Sequence, residues 1–393
     1  MFLEAAPPIK MSRSRAWDIF CRIVDNYGDA AVCWRLARQL ADEHDAAVRL
    51  WMSDLEPLNA LCPAVATGVA RQSVAGVEVR AWSSTWAPIE PAEIVIEAFG
   101  CGLPEDYVRA MAKRTPPPLW IVLEYLSAER WVPEHHGLPS PHPRWPIPRY
   151  FFFPGFVAGT GGVLREAGLL DRRDAFGEQA RRMFWKSIAF DPPRDDAAVV
   201  SVFAYEGVPI EALLSVWAAG EVPVVACVPL GRLAPRIARD FGRTELKAGQ
   251  TLARGSLELR LLRFVAQHQY DELIWSCDCN FVRGEDSFVR AQWGARPFVW
   301  NVYPQPEGAH WRKLEAFLDL YCAALPPETA ASVRQMWKAW NCAPGLSVEQ
   351  AWQGYWSQRE VLARHARQWT EALAVKSDLA ANLAQFSAER LQY

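Results

Sequence analysis

The chain has 393 residues, 51% of them hydrophobic and 22% charged, and it carries a formal net charge of −3. That composition is typical of a globular protein. The chain is longer than a typical domain with a single hydrophobic core, so we expect two domains of roughly 150 to 200 residues each. The small net charge excludes a general affinity for nucleic acid or for anionic membranes.

Nothing in the sequence predicts export. No apolar run reaches the roughly 20 residues that cross a bilayer, and the first ten residues lack the apolar segment of a signal peptide. The nine cysteines are an odd number, scattered among strand-like and helix-like segments, which indicates free thiols in a reducing compartment. We therefore expect a cytoplasmic protein.

The first part of the chain alternates short apolar runs with helical periodicity. Residues 17–24 and 47–52 are predicted strands on either side of a predicted helix at 30–41. Further predicted strands are residues 77–81, 94–98 and 119–123. Short apolar runs separated by helices favour a parallel sheet that is covered on both faces.

Seven prolines between residues 133 and 154 interrupt this pattern. Proline fixes the backbone and donates no hydrogen bond, so such a density argues against helix and interior strand. We interpret the segment as a surface loop. Residues 169–187 have helical periodicity and are expected to connect two domains.

The alternation of strands and helices then restarts. The predicted elements are strands at 198–203, 222–228 and 257–265, helices near 209–218 and 270–275, a strand–turn–helix–strand unit at 279–300 and a last helix at 378–391. The repeated pattern predicts the α/β class, with two Rossmann-like domains facing each other across a cleft. Their expected limits are residues 13–168 and 196–374, with a linker helix at 169–195 and with the carboxyl-terminal helix, 375–393, packing back on the first domain.

The turn that begins at Arg283 combines groups that hold an anionic ligand. It follows a predicted strand, and the carboxyl ends of strands are where open α/β sheets bind their ligands. Gly284 permits close backbone approach, and Arg283 adds a positive charge. Asp286 and Ser287 can cap the following helix, whose first amides would face outward. A phosphate alone does not need Glu285 and Asp286, but a sugar nucleotide also presents hydroxyl groups, so the turn predicts a sugar-nucleotide site.

A similar turn follows the first predicted strand. Asp25 and Asp29 flank Gly28 at the carboxyl end of this strand, so both carboxylates are expected to face the cleft. A purely local interpretation stays open, in which Asp29 caps the helix and Asp25 opens an Asx turn. Helix capping alone does not explain why acidic residues occur in the corresponding turns of both domains, and this favours a shared binding site.

Aromatic residues predict where a base would bind. Phe203 and Tyr205 follow the first strand of the second predicted domain, and Phe264, Gln267 and Tyr270 follow a later one. A base can stack between such rings while Gln267 hydrogen-bonds its edge. For each ring a place in the core is an equally good interpretation, since the chain has 19 tryptophans and 18 phenylalanines.

Other ligand signatures are missing from the sequence. Only Gly28 follows the first strand, so no G-x-G-x-x-G motif stands where a nicotinamide enzyme needs it, and no P-loop motif occurs. The histidines and cysteines form no ligand set at metal spacing, so no metal site is predicted. Tyr303 ends the strand after the second turn, and its hydroxyl can bond a phosphate.

Both turns lie within longer motifs that resemble the EarP family, the bacterial protein-arginine rhamnosyltransferases that modify translation elongation factor P. The motifs are WDIFCRIVDNYGD at 17–29, CWRLARQL at 33–40, RGEDSFVRAQW at 283–293, PFVW at 297–300 and YPQ at 303–305. The resemblance runs from about residue 17 to the carboxyl terminus.

The resemblance implies a GT-B glycosyltransferase that inverts the anomeric centre and needs no metal or cofactor. Its donor would be dTDP-β-L-rhamnose, held mainly by the second domain, and its acceptor one arginine of elongation factor P. Asp29 would be the general base, Glu285 the other catalytic carboxylate and Asp25 a supporting one. The implied donor-binding residues are Asn26, Tyr27, Gly28, Phe203, Tyr205, Phe264, Gln267, Tyr270, Arg283, Gly284, Asp286, Ser287 and Tyr303.

Two other functions stay open. A GT-B enzyme that acts on a small-molecule nucleotide sugar, such as an epimerase or another glycosyltransferase, would share the donor cleft. A sugar-nucleotide-binding module without activity is the non-enzyme alternative, and the retained carboxylates argue against it.

Overall fold

Two sheets covered by helices make up the fold of the computed structural model, which describes residues 14–25, 27–82 and 89–391. The first sheet has eight strands in the order β3-β4-β2-β1-β5-β6-β8-β7. They are β1 (Ala16–Cys21), β2 (Ala47–Met52), β3 (Arg71–Val74), β4 (Val77–Ala81), β5 (Ile94–Ala98), β6 (Leu119–Leu123), β7 (Pro139–Pro141) and β8 (Pro148–Phe152). The helices of this part are α1 (Tyr27–Glu43), α2 (Glu56–Leu61), α3 (Glu105–Lys113) and α4 (Val132–His135).

The strands at the centre of the first sheet are parallel and buried on both faces. β1 pairs with β2 on one side and with β5 on the other, and every residue of β5 and β6 is buried. Helices on both faces of a parallel sheet require this continuous apolar pattern, so the predicted strands at 94–98 and 119–123 have the observed bounds. The first predicted strand ends earlier, at Cys21, because the acidic turn begins soon after it.

The interpretation of the proline-rich segment as a loop was wrong. It contains α4 and the strands β7 and β8, and β8 pairs in parallel with β6. The prolines are tolerated because of where they lie. Pro148 is the first residue of β8, and Pro139 and Pro141 lie on β7, which is the edge of the sheet.

The second sheet has six strands in the order β11-β12-β10-β9-β13-β14. They are β9 (Ala198–Val202), β10 (Val224–Pro229), β11 (Thr251–Arg254), β12 (Leu257–Leu262), β13 (Cys279–Arg283) and β14 (Phe298–Asn301). The helices before and among them are α5 (Leu169–Asp174), α6 (Glu178–Ser187), α7 (Ile210–Ala219), α8 (Ala234–Asp240), α9 (Gln267–Ser276) and α10 (Asp286–Trp293). β13 and β14 are parallel and joined by α10, which confirms the predicted strand–turn–helix–strand unit.

Within the described residues, five α-helices follow β14, namely α11 (Ala309–Tyr321), α12 (Pro327–Trp340), α13 (Val348–Ser357), α14 (Arg359–Ala374) and α15 (Leu379–Leu391). The rings of Trp337 and Trp340 on α12 pack against the second sheet, on Phe298 and Phe281 respectively. α15 instead contacts α1 and β6, and its residues Ala380 and Leu383 are buried in the core of the first sheet. The exact domain limits stay a prediction. Among the described residues, no helix has the length and apolar composition needed to cross a membrane.

Candidate active site

The two acidic turns lie at the carboxyl ends of β1 and β13 and face each other. Tyr205 follows β9, and its hydroxyl donates to Asp25 Oδ2 at 2.6 Å. In the other direction, the backbone N–H of Leu126, which follows β6, donates to Glu285 Oε2 at 2.9 Å. Each turn is thus bonded to a residue that follows a strand of the opposite sheet, and the carboxylates share one cleft.

Asp29 is buried in the first turn of α1, and its carboxylate is held on both oxygens. Oδ2 accepts from the backbone N–H groups of Val24 at 2.8 Å and Asp25 at 2.9 Å. This is the local role that a carboxylate in the first helical turn commonly has, reaching back to the amides before the helix. Oδ1 accepts from the Tyr125 hydroxyl at 3.1 Å, and the Asp29 residue borders a cavity. The local and the functional interpretations of Asp29 are therefore compatible, since the local bonds to Val24 and Asp25 occupy only Oδ2.

Two carboxyl groups of the cleft ionise close to neutral pH. Burial raises the pKa of Asp25 to about 6, although the hydrogen bond from Tyr205 and the charge of Arg283 oppose this rise. Burial raises the pKa of Glu285 to about 7, opposed by the Leu126 N–H and by Lys313. Groups that titrate near the working pH are suited to proton transfer and to pairing with a cationic substrate.

A narrow cavity of about 50 Å³ lies on one side of Asp25. Its lining includes Tyr27, Gly28, Phe203, Phe264, Gln267, Tyr270, Arg283, Asp286 and Ser287, all of which the resemblance implied for the donor. The Gln267 side-chain amide donates to the Ala31 carbonyl at 3.0 Å, and its buried oxygen has no hydrogen-bond partner within the described ranges. We call this space the nucleotide-side cavity.

Arg283 borders the nucleotide-side cavity and is held by aromatic rings. Its guanidinium lies 4.3 Å from the ring centre of Phe203 and 4.7 Å from that of Tyr205, and it donates to the Ala204 carbonyl. Burial lowers the pKa of Arg283, opposed by the neighbouring Tyr205 and Asp25. The rings hold a positive charge in place without neutralising it.

A second cavity, of about 210 Å³, is also bordered by Asp25, and we call it the reaction-side cavity. Asp25 and Gly28 border both cavities, which are therefore adjacent. The other lining residues are Val24, Asp29, Val32, Phe99, Tyr125, Leu126, Gly284, Glu285, Phe288, Trp300, Val302, Tyr303, Gln305 and Lys313. All three carboxylates that the resemblance named as catalytic border this space.

The predicted capping of α10 was wrong. The Ser287 hydroxyl bonds the backbone N–H and carbonyl of Arg283, and the first turn of the helix has no side-chain cap. Asp286 borders the nucleotide-side cavity, but its Oδ1 accepts from Arg35 Nε at 2.7 Å. Asn26 lies outside the described residues.

Arg35 belongs to a buried ionic cluster that joins α1 to the second sheet's helices. Besides Asp286, Arg35 contacts Glu166 at 2.9 Å and Asp271 on α9 at 3.5 Å. Arg290 on α10 contacts Asp271 at 2.7 Å and Glu166 at 2.5 Å. Two guanidinium groups and three carboxylates thus share one interior region between the sheets.

Sequence reasoning missed several residues of the reaction-side cavity. Phe99 is the first residue after β5 and Tyr125 the second after β6, so the strand-end rule that indicated Asp25 would also have indicated both. Lys313 lies on α11, and nothing in the local sequence marks it as a cleft residue. Among the described residues, no group of three His, Cys, Asp or Glu side chains is arranged to hold a metal ion.

Comparison with known proteins identifies the family. The model of the family described as "Elongation-Factor P (EF-P) rhamnosyltransferase EarP" matches residues 17–388. The chain belongs to the EarP family. A protein-arginine rhamnosyltransferase of Pseudomonas putida is 46% identical over 372 residues, which cover 94% of this chain and 98% of that protein. The protein of the same name from Pseudomonas aeruginosa is 46% identical over 378 residues, covering 96% of this chain and all of its own length.

A solved EarP structure confirms the predicted fold class. It was described as the structural basis for EarP-mediated arginine glycosylation of translation elongation factor EF-P, and it is 34% identical to this chain with a TM-score of 0.68. The match covers 96% of this chain and 99% of that one. The two sheets facing a cleft are therefore the GT-B arrangement of the EarP family.

Proposed function

We propose that this EarP family member transfers rhamnose from dTDP-β-L-rhamnose to a guanidino nitrogen of one arginine of translation elongation factor P, with inversion at the anomeric carbon and without a cofactor. The observation that carries the proposal is the convergence of Asp25, Asp29 and Glu285 on one cavity beside a second, aromatic-lined one. Because the acceptor acts in translation, we place the enzyme in the cytoplasm.

An arginine acceptor explains the three carboxylates. A guanidinium stays protonated at any ordinary pH, so an enzyme that glycosylates it must orient the group, balance its charge and remove a proton as the new bond forms. Carboxylates can do all three, one by a bidentate pair and another by accepting the proton. We assign proton removal to Asp29, with Glu285 and Asp25 pairing with the cation.

The nucleotide-side cavity supports a donor with a flat base. Phe203 and Phe264 offer ring faces for stacking, and the unpaired oxygen of Gln267 can accept the imide N–H of thymine. A base placed there would direct the sugar past Gly28 and Gly284 into the reaction-side cavity. No side chain at these two glycines obstructs the passage.

The diphosphate leaves as an anion and needs positive or amide groups. Arg283 supplies the charge, and the N–H groups of the first turn of α10, which have no partner within the helix, can donate to a phosphate. The bond from the anomeric carbon to the diphosphate oxygen breaks, the bond to the arginine nitrogen forms, and the proton passes to Asp29. Arg283 borders the nucleotide-side cavity and Asp29 the reaction-side cavity, an arrangement that accommodates attack from the face opposite the leaving group.

The test is to incubate the chain with elongation factor P and dTDP-rhamnose and to measure the intact mass of the acceptor. We expect a gain of one deoxyhexose on one arginine, and the gain should persist after exhaustive chelation. No gain, together with turnover of the nucleotide sugar alone, would favour a small-molecule enzyme. A strict requirement for magnesium would contradict the role given to Arg283.

A further inference from the structure

Tyr125 lies beside Asp29, the proposed general base, and contacts groups from both sides of the cleft. Its ring stacks on Phe99, with ring centres 4.3 Å apart and planes inclined by 11°. Lys313 of α11 places its ammonium nitrogen 5.3 Å from the centre of the same ring. Stacking and the cation–π contact both restrict the ring, so the direction of its hydroxyl is fixed.

That hydroxyl completes the support of Asp29. Two backbone amides fix Oδ2, whereas Tyr125 is the one hydrogen-bond donor to Oδ1 among the described residues. Each carboxylate oxygen has two lone-pair directions. With one direction at Oδ1 occupied by Tyr125, the other is left for a proton that arrives from the reaction-side cavity.

Tyr125 remains a donor throughout the working pH range. Burial and then the nearby carboxylates of Asp29 and Glu285 raise the pKa of its hydroxyl well above the ordinary value of 10.0. The other charged groups that border this cavity are Asp25 and Lys313. A neutral hydroxyl is therefore available to donate to Asp29 Oδ1.

We infer that Tyr125 is a positioning residue for the transfer step. Its hydroxyl holds Asp29 Oδ1 in the orientation in which this oxygen can take the proton from the acceptor nitrogen. It need not touch the reacting atoms. The inference rests on the proposed function, because it assigns Tyr125 a part in that same reaction.

The decisive variant is Tyr125→Phe, which keeps the ring on Phe99 and under Lys313 and removes only the hydroxyl. A hydrogen bond to a charged group is worth enough that kcat should fall by about 10- to 100-fold. KM for elongation factor P and the affinity for dTDP-rhamnose by calorimetry should stay nearly unchanged, since neither depends on the direction of Oδ1. Tyr150→Phe, on β8 and outside both cavities, is the matched control and should match the wild type.

The outcomes separate the two claims. If the wild type transfers no rhamnose, the proposed function fails. If the wild type is active and Tyr125→Phe retains its kcat, or loses activity only through KM, the positioning role is overturned. Should Tyr125→Phe fail to fold by thermal melting, Phe99→Leu decides, because it keeps the hydroxyl but loosens the ring. A reduced kcat at unchanged KM would support the inference, and a wild-type kcat would overturn it.

Discussion

Tyr205 and Asp25 connect the two sheets through a hydrogen bond of 2.6 Å at the point where the two cavities meet. Gly284 lies against this pair. A Cβ atom at Gly284 would be 2.8 Å from both the Asp25 carboxylate oxygen and the Tyr205 hydroxyl, and the residue has a φ of +60°. The turn therefore needs glycine for its backbone conformation and for the space that it leaves.

We predict that Gly284→Ala reduces transfer by at least about tenfold, since the methyl group separates Asp25 from Tyr205 and narrows the passage between the cavities. Gly242→Ala is the matched control. Gly242 has a φ of +62°, and nothing lies within 4 Å of a Cβ atom built there. Both variants place a side chain at a similar positive φ, so a loss of rate confined to Gly284→Ala is due to the place of Gly284 in the cleft. Equal rates would show that the space at Gly284 is unimportant.

Asp29→Asn should retain dTDP-rhamnose binding and lose transfer by about 10²- to 10⁴-fold, the usual contribution of a general base. The amide keeps the shape of the side chain but cannot take a proton. Calorimetry and the intact-mass assay measure the two properties separately. Asp42→Asn, on the exposed face of the same helix, is expected to change neither. Wild-type transfer by Asp29→Asn would remove Asp29 from the role.

The rate of transfer should fall as the pH is lowered through about 7. Burial raises the pKa of Glu285 to about 7 and that of Asp25 to about 6, so both carboxyl groups gain protons below these values and can no longer pair with a guanidinium. Initial rates at low acceptor concentration between pH 5.5 and 9 test this. Glu285→Gln should lose most of its activity, and the rate that remains should change little with pH near pH 7. A wild-type rate that does not change with pH over this range would contradict the prediction.

The same burial predicts that Glu285 costs stability at neutral pH. Its pKa rises from the ordinary 4.5 to about 7 on folding, so the folded state binds more protons than the unfolded state between these values. Stability from this group is therefore present below pH 4.5 and is lost as the pH rises to 7. Glu285→Gln should be more stable than the wild type at pH 8, by roughly 3 kcal/mol. The difference should vanish near pH 4.5 in urea unfolding experiments.

Elements and turns whose structure depends on a short segment could be predicted from the sequence. β13, α10 and β14 were predicted as a unit because apolar runs and a glycine-containing turn are local signals. The same applies to the turn from Asp25 to Asp29. Tyr125 was overlooked although it lies two residues after the end of β6, so a consistent use of the strand-end rule would have found it.

Contacts between distant segments left no such signal. Asp286 was predicted for the donor site from its place in the turn, but its partner, Arg35, is 251 residues away in the sequence. Lys313 reaches the cleft from a helix whose sequence does not point to a site. The strand β8 was missed because proline density was weighed without knowing that Pro148 would be the first residue of its strand.

The contact between Arg35 and Asp286 predicts a large effect on stability. Arg35→Met keeps much of the apolar length of the side chain but leaves Asp286 buried without the cation that it contacts in this structure. Breaking a buried ion pair by removing one partner costs about 3 to 5 kcal/mol. Arg109→Met is the control, since its pairs with Glu105 and Asp106 are exposed and should contribute less than about 1 kcal/mol. Urea unfolding of both variants gives the comparison. A loss at Arg35 no larger than the loss at Arg109 would mean that the ionic cluster does not hold α1 against the second sheet.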